Sequence, residues 1–143
     1  MKFLIINGPN LNLLGKREPG IYGDQSYQAL CALIRDHAAA RGATADCFQS
    51  NHEGTIIDQI QAADGTYDAI IINPGAYTHY SYAILDALKA VDVPAYEVHI
   101  SHIGQREPFR AVSVTAPACV GQLYGHGFNG YLMAMDFFLE GKA

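Results

Sequence analysis

The chain has 143 residues, of which half are hydrophobic and 16% are charged, and its formal net charge at pH 7 is -5. This length predicts a single domain, residues 1–143, with a substantial core. The acidic balance argues against nucleic acid as a partner, because non-specific binding to nucleic acid needs a basic face. No apolar run approaches the roughly 18 residues of a membrane span, so no membrane partner is expected. The low charged fraction leaves apolar surface that self-association would cover.

The cysteines predict the compartment. Cys31, Cys47 and Cys119 are odd in number, lie far apart in the sequence and form no CxxC pair. The first residues do not resemble a signal peptide. The cysteines are therefore expected to be reduced thiols in a cytoplasmic protein.

Strand and helix patterns alternate along the chain. In chain order the patterns predict a strand over residues 2–6, a helix over 26–41, a strand over 43–49, a helix over 55–63, a strand over 67–73, a helix over 81–91, a strand over 95–99, one turn around 107–110, a strand near 118–123 and a helix over 128–139. Short apolar runs mark the strands, and apolar residues at helical spacing mark the helices. Alternation of this kind is typical of a parallel sheet covered on both faces. At this length it favours an α/β, flavodoxin-like fold with five parallel strands in the order 2-1-3-4-5.

The apolar positions of the helices predict which side of each helix faces the sheet. The expected buried residues are Leu30, Leu33, Ile34 and His37 in the first helix, Ile56, Ile57 and Ile60 in the second, and Ile84, Ala87, Leu88 and Val91 in the third. Gly42 is placed to end the first helix. Asp86 points away from the predicted buried face of the third helix.

Polar side chains are concentrated in the segments that follow strands. The segments that lead from a helix into a strand are short and carry little chemistry. Those that follow strands, residues 7–22, 49–54, 73–79 and 99–110, hold most of the amides, imidazoles and guanidinium groups. Ligands of open parallel sheets bind beyond the carboxyl ends of the strands. The sequence therefore predicts a functional site at this edge.

The first of these segments is too long, and too rich in glycine and proline, to be a simple turn. It carries Arg17 and Tyr22. Loops of this kind in compact domains commonly cover a binding site, so the segment is predicted to be a catalytic lid.

The motifs at this edge resemble the opening and closing signatures of the type II 3-dehydroquinate dehydratases. The matching residues are Asn7-Gly8-Pro9-Asn10-Leu11-Asn12-Leu13-Leu14-Gly15, Arg17-Glu18-Pro19, Tyr22-Gly23, Gln49-Ser50-Asn51, Glu53-Gly54, Asn73-Pro74, Ala76, Thr78-His79, Ser81, Asp86-Ala87-Leu88, Glu97-Val98-His99-Ile100-Ser101, Arg106-Glu107, Phe109-Arg110 and Gly130-Tyr131. The match is collinear over nearly the whole chain. One departure is His102, where members of the family often carry Asn; we expect this change to tune the pocket without disabling it.

The resemblance implies a lyase without a cofactor or metal. Such an enzyme dehydrates 3-dehydroquinate to 3-dehydroshikimate by anti elimination through an enolate, in the shikimate pathway of aromatic amino acid biosynthesis or in quinate breakdown. The resemblance also implies a flavodoxin-like subunit that assembles into trimers and then into a dodecamer.

The resemblance further assigns catalytic roles. Tyr22 matches the base that removes the alpha proton. Because a free phenol has a pKa of about 10, the positive charge of Arg17 is expected to favour its phenolate. Asn10 matches the group that stabilises the enolate, through an ordered water. His99, with Glu97 on the same strand face, matches the acid that protonates the departing hydroxyl.

The residues that would hold the substrate follow from the same resemblance. They are Asn73, His79, Ile100, Ser101 and Arg110, the last of which is also a possible second cation near the base. Asp86 is implied to enter the site of a neighbouring subunit, whereas the residue pattern alone predicts an ordinary exposed acid. Arg106 is expected to form an ion pair in the scaffold.

Two other classes of function remain open on the residues alone. A metal-dependent lyase or hydrolase could use His79, His99 and His102 with Glu53 or Glu97, although no HExxH-like pattern is present. The second class is a non-catalytic flavodoxin-like module. A module that binds FMN would need a Ser/Thr-rich phosphate loop after the first strand, and a phospho-receiver would need an acidic cluster there. A Schiff-base lyase is disfavoured because no lysine lies within a predicted core strand.

Overall fold

The computed structural model describes residues 1–16 and 25–141 of the chain. The strands are β1 (Lys2–Asn7), β2 (Thr44–Gln49), β3 (Ala69–Asn73), β4 (Ala95–His99) and β5 (Gln122–Tyr124). The α-helices are α1 (Tyr27–Ala40), α2 (Glu53–Ala63), α3 (Tyr82–Ala90) and α4 (Asn129–Leu139). All strands pair in parallel in the order β2-β1-β3-β4-β5. The predicted flavodoxin-like fold is thereby confirmed.

The sheet separates two apolar cores because successive side chains of a strand point to opposite faces. On β1, Phe3 and Ile5 belong to one core, whereas Leu4 and Ile6 belong to the other. The first core is closed by α1 and α4, and the second by α2 and α3. With both faces covered, the central strands carry continuous apolar runs, as is typical of parallel sheets. No helix in the described ranges is both long and apolar enough to cross a bilayer.

The buried face of α1 differs from the predicted one. Its buried residues are Leu30, Cys31, Ile34 and Ala38. Leu33 is 36% exposed, and the imidazole Nε2 of His37 lies 2.7 Å from the Asp136 carboxylate of α4. The predicted stripe followed the larger apolar residues, whereas the helix buries Cys31 and Ala38 instead of Leu33 and His37.

The last strand also lies later in the chain than predicted. Residues 116–118 form a short 3-10 turn, and β5 begins at Gln122. Pro117 has no backbone N–H to donate to a sheet. The short strand pairs with β4 at its carboxyl end, from Glu97 to His99. The turn predicted around 107–110 is present as a 3-10 turn over Pro108–Arg110.

Two loops touch at the carboxyl edge of the sheet, just after β1 and β3. The backbone N–H of Gly8 donates to the carbonyl of Asn73 at 2.8 Å. A Cβ atom on Gly8 would lie 2.4 Å from the carbonyl oxygen of Pro74, closer than real contacts allow. This crossing therefore requires a glycine.

We expect Gly8→Ala to lower the free energy of unfolding by about 1–3 kcal/mol, because the new methyl group forces the two loops apart. The matched control is Gly54→Ala near the start of α2, where the added Cβ meets nothing within 4 Å and alanine favours the helix. Urea unfolding of both variants measures the difference. Equal stability of the two variants would show that the loops separate without cost.

Candidate active site

A cavity of about 200 Å³ opens at the carboxyl edge of the sheet. Its lining comes from the segments after β1, β3 and β4: Pro9, Asn10, Leu11, Leu13, Leu14, Gly15, Asn73, Gly75, Ala76, His79, His99, Ile100, Ser101, Ile103, Arg106 and Arg110. This is the edge at which the polar segments of the sequence were expected to meet. A parallel sheet brings them together because every strand ends on the same side.

His99 and Glu97 form a buried pair at the end of β4. The imidazole Nε2 lies 2.9 Å from Glu97 Oε2, and the two side chains are 5% and 0% exposed. His99 lines the cavity, whereas Glu97 lies behind it and is not among the lining residues. Since Nε2 is engaged by Glu97, Nδ1 is the ring nitrogen left for a ligand.

Three further side chains donate hydrogen bonds to the Glu97 carboxylate. Oε2 accepts from the Ser113 hydroxyl at 2.7 Å and from Gln122 Nε2 at 2.8 Å, and Oε1 accepts from the Thr115 hydroxyl. Burial would raise the pKa of Glu97, but the hydrogen bonds and charge of His99 and the hydroxyl hydrogen bonds outweigh it, so the pKa lies below its ordinary value. The carboxylate is therefore ionised near neutral pH.

The segment that carries Ser113 and Thr115 also holds the loop after β3. The Thr78 hydroxyl lies 2.8 Å from both the Ser113 and the Thr115 hydroxyl oxygens. His79 Nδ1 donates to the carbonyl of Val112 at 2.8 Å. A carbonyl only accepts, so a neutral His79 carries its proton on Nδ1 and leaves Nε2 as an acceptor.

A second buried hydrogen-bond chain joins β1, β3 and α4. The Tyr131 hydroxyl donates to Asn7 Oδ1 at 2.6 Å and accepts from Asn73 Nδ2 at 2.9 Å. Asn73 Oδ1 in turn accepts the N–H of Gly75 at 3.1 Å. Burial raises the pKa of Tyr131, so this phenol stays neutral and able to donate. The amide plane of Asn73 is consequently held from both ends at the edge of the cavity.

Asn10 is held in an unusual backbone conformation. Its φ of 70° lies in the left-handed region, which it occupies as the one non-glycine residue of the described ranges. Its N–H donates to Asn51 Oδ1 at 3.0 Å. Gln49 Nε2 donates to the same oxygen at 3.0 Å and to the Gly8 carbonyl at 3.1 Å. The end of β2 and the residues just after it thus hold the Asn10 turn through hydrogen bonds.

Two arginines lie along the cavity. Arg110 Nε donates to Glu107 Oε2 at 2.6 Å, and its guanidinium stands 5.0 Å from the centre of the Phe109 ring. Arg106 is exposed and, within the described ranges, has no salt bridge. The ion pair predicted for Arg106 is therefore absent from the part of the chain that the structure describes. Both guanidinium groups are placed to meet an anionic ligand.

The structure gathers most of the residues singled out in the sequence. Those that line the cavity are Asn10, Asn73, His79, His99, Ile100, Ser101 and Arg110. Asp86 is exposed on α3 and is not part of the lining. Arg17 and Tyr22 lie outside the described residues.

Sequence reasoning gave no role to the residues that hold the site residues in place, although Thr78 and Tyr131 belong to the matching motifs. These supporting residues are Thr78, Ser113, Thr115, Gln122 and, as a partner of Asn73, Tyr131. Ser113 and Thr115 belong to an irregular segment with no hydrophobic period. The available signal was a group of small hydroxyl residues placed between two strands that flank a buried acid.

The described side chains do not form the kind of cluster that a metal-dependent alternative would need. The described ranges contain no group of three or more His, Cys, Asp or Glu side chains suited to a metal ion. His102 instead packs edge-on against Tyr124, with ring centres 4.6 Å apart. Glu53 accepts a hydrogen bond from Ser81 at the start of α3.

Comparison with known proteins agrees with this geometry. The family model described as dehydroquinase class II matches residues 1–139. The 3-dehydroquinate dehydratase of Lachnoclostridium phytofermentans is 59% identical over 138 residues, which cover 95% of this chain and 94% of that protein. The counterpart from Clostridium acetobutylicum is 55% identical, and the match covers 94% of each chain.

Solved structures of type II dehydroquinases also superpose on this chain. The type II dehydroquinase from Butyrivibrio crossotus superposes with a TM-score of 0.93 at 54% identity, over 98% of this chain and 97% of that one. The type II dehydroquinase from Propionibacterium acnes gives 0.92 at 37% identity, over 97% and 96% of the two chains. Because the family model matches residues 1–139 of this chain, the chain belongs to the class II dehydroquinase family.

Proposed function

We propose that this protein dehydrates 3-dehydroquinate to 3-dehydroshikimate by anti elimination through an enolate. The observation that carries the proposal is the His99–Glu97 pair beside a cavity lined by amides and guanidinium groups. The names of the relatives point to the same substrate. The product enters the shikimate pathway, and the same reaction would also serve quinate breakdown.

The proposed acid is the imidazolium of His99. The ionised Glu97 accepts from Nε2 at 2.9 Å and stabilises the positive charge of the ring. Nδ1 then delivers its proton to the departing hydroxyl, which leaves as water. In other acid–base sites, a carboxylate that is hydrogen-bonded to an imidazole likewise holds the ring in place and favours its cationic form.

The proposed base is Tyr22, and Arg17 would favour its phenolate through its positive charge. The phenolate takes the alpha proton of the ketone, and the electrons move to the carbonyl oxygen to form the enolate. Asn10 would stabilise that oxygen through an ordered water. Support for the Asn10 role comes from the turn that holds it, because a preorganised donor needs no rearrangement at the moment of reaction.

The proposed substrate contacts surround the ring. The guanidinium of Arg110 is a natural partner for the substrate carboxylate or hydroxyls. Asn73 and His79 have fixed amide and imidazole orientations, which favour the recognition of hydroxyl groups. Ile100 and Ser101 would contribute backbone N–H groups at the end of β4.

We further propose that the active form is a homo-oligomer, a dodecamer built from trimers. Large apolar side chains are exposed close in sequence to the lining residues His79 and Arg110: Tyr80 at 60%, Tyr82 at 64%, Phe109 at 64% and Val112 at 62%. Asp86 lies exposed on the same helix as Tyr82. A carboxylate in that position can reach a neighbouring subunit and orient its Arg17 or its substrate.

The proposed activity has a direct optical test. Addition of 3-dehydroquinate should produce the ultraviolet absorbance of a conjugated enone, and a chelator should leave the rate unchanged. Tyr22→Phe should lower kcat at least about 100-fold with a smaller change in KM, because the phenol oxygen acts in the chemical step. If Tyr22→Phe kept more than about a tenth of the kcat, Tyr22 would not be the base.

The acid is tested separately by Glu97→Gln. The amide has the shape of the carboxylate but lacks the charge that stabilises the His99 imidazolium. We expect kcat to fall about 100-fold or more while KM changes little. Gln59→Glu on α2, remote from the cavity lining, is the charge-change control and should keep the kcat. Unchanged kcat in Glu97→Gln would rule out the proposed acid.

The interface is tested by mixing inactive chains. Sites in co-refolded Asp86→Ala and Tyr22→Phe chains should be complete in about a quarter of cases, by random assortment, so activity should rise above that of either parent. Asp58→Ala, another exposed acid, on α2, is the control and should be active alone. Hybrids as inactive as their parents, or a fully active monomer in sedimentation, would contradict a shared site.

A further inference from the structure

We infer that Ser113 and Thr115 are positioning residues that keep Glu97 ionised. An ionised Glu97 in turn keeps a proton on Nε2 of His99, the ring nitrogen that faces it. Neither residue lines the cavity; both hydroxyl groups contact Glu97 and Thr78, and the inference concerns their action through Glu97. The inference rests on the proposed function, because it concerns the acid of that reaction. It follows from the direction in which each hydrogen bond has to point.

The hydroxyl protons of this cluster can be assigned by counting donors and acceptors. A serine or threonine hydroxyl has one proton to donate, and an ionised carboxylate can only accept. The contacts of Ser113 and Thr115 with Glu97 therefore use the proton of each hydroxyl. Thr78, at 2.8 Å from both oxygens, is then left to donate to one of them. Ser113 Oγ also accepts the N–H of Ala116 at 3.0 Å.

This assignment is complete only while Glu97 is an anion. Both carboxylate oxygens face donors, Thr115 at Oε1 and His99, Ser113 and Gln122 at Oε2. A proton on Oε2 would displace one of the three donors there, and a proton on Oε1 would force the Thr115 hydroxyl to accept, so that hydrogen bonds to a charged acceptor are exchanged for weaker neutral ones. The donors thus select the carboxylate form. The carboxylate in turn requires His99 to keep a proton on Nε2.

Apart from His99 and Gln122, which also donate to the carboxylate, the other groups around Glu97 do not help to keep it ionised. Its neighbour on β3 is Ile72, and the buried residues of α3 on this face are apolar. Besides His99, the titratable group that interacts with it among the described residues is Cys119. Burial and, second, the negative charge of Glu97 raise the pKa of the Cys119 thiol, so this neighbour is neutral. Removal of either hydroxyl group is therefore expected to raise the pKa of Glu97.

The test is Thr115→Val, which removes one hydroxyl and keeps the shape of the side chain. We expect the pKa of the Glu97 carboxyl to rise by roughly one to two units, the value of a lost hydrogen bond to a charge. Infrared difference spectra recorded across a pH titration should therefore show the carbonyl band of protonated Glu97 at correspondingly higher pH. Loss of the band in Glu97→Gln assigns it.

Two variants separate a positioning role from a packing role. Thr115→Ser restores the hydroxyl and should return the infrared titration of Glu97 toward that of the unmodified protein. Thr44→Val makes the same chemical change at the exposed start of β2, the opposite end of the sheet, and should leave this titration unchanged.

The inference is overturned if Thr115→Val leaves the infrared titration of Glu97 unchanged, or if Thr115→Ser shifts it as far as Thr115→Val does. If Thr115→Val does not fold, Ser113→Ala at the less buried partner must show the same upward shift. The infrared titration needs no substrate. A protein that lacks dehydratase activity would therefore refute the proposed function while still deciding this inference.

Discussion

The buried charge of Glu97 is the constraint around which the cavity is arranged. A carboxylate removed from water is costly unless its oxygens are satisfied, and here the donors come from β4, from β5 and from the irregular segment between them. Satisfying this one group brings Ser113 and Thr115 against the end of the sheet. The same segment then fixes Thr78 and His79 in the loop after β3. The electrostatic requirement of one side chain therefore sets the positions of two loops.

A second cluster of buried polar groups, which is uncharged, lies at the ends of β1 and β3. The Tyr131 hydroxyl joins Asn7 of β1 to Asn73 of β3, and Gly8 allows the loops after these strands to touch. Both clusters occur where strands end, and in each of them buried polar side chains satisfy one another. The cavity consequently has a rigid floor of paired polar groups. Its outer residues, such as Arg106 and Arg110, are more exposed.

The sequence predicted the parts of this arrangement that depend on local pattern. Apolar runs and helical spacing gave the order of elements, and the polar segments after the strands gave the edge that holds Asn73, His79 and His99. The face of α1 was partly wrong, because Cys31 and Ala38 are weak signals beside Leu33. The start of β5 was placed too early because residues 116–118 are apolar but form a turn around Pro117.

By itself the sequence determined the strand–helix alternation, the sheet edge that carries the chemistry and, through its motifs, the family. Those features depend on neighbours in the chain, on a short period or on collinear signatures, all of which are visible in one dimension. Only the tertiary structure decided that Ser113, Thr115 and Gln122 surround Glu97, and that Tyr131 holds Asn73 from 58 residues away. Contacts of this kind are selected by the free energy of burying a polar group, which depends on what the whole fold places beside it.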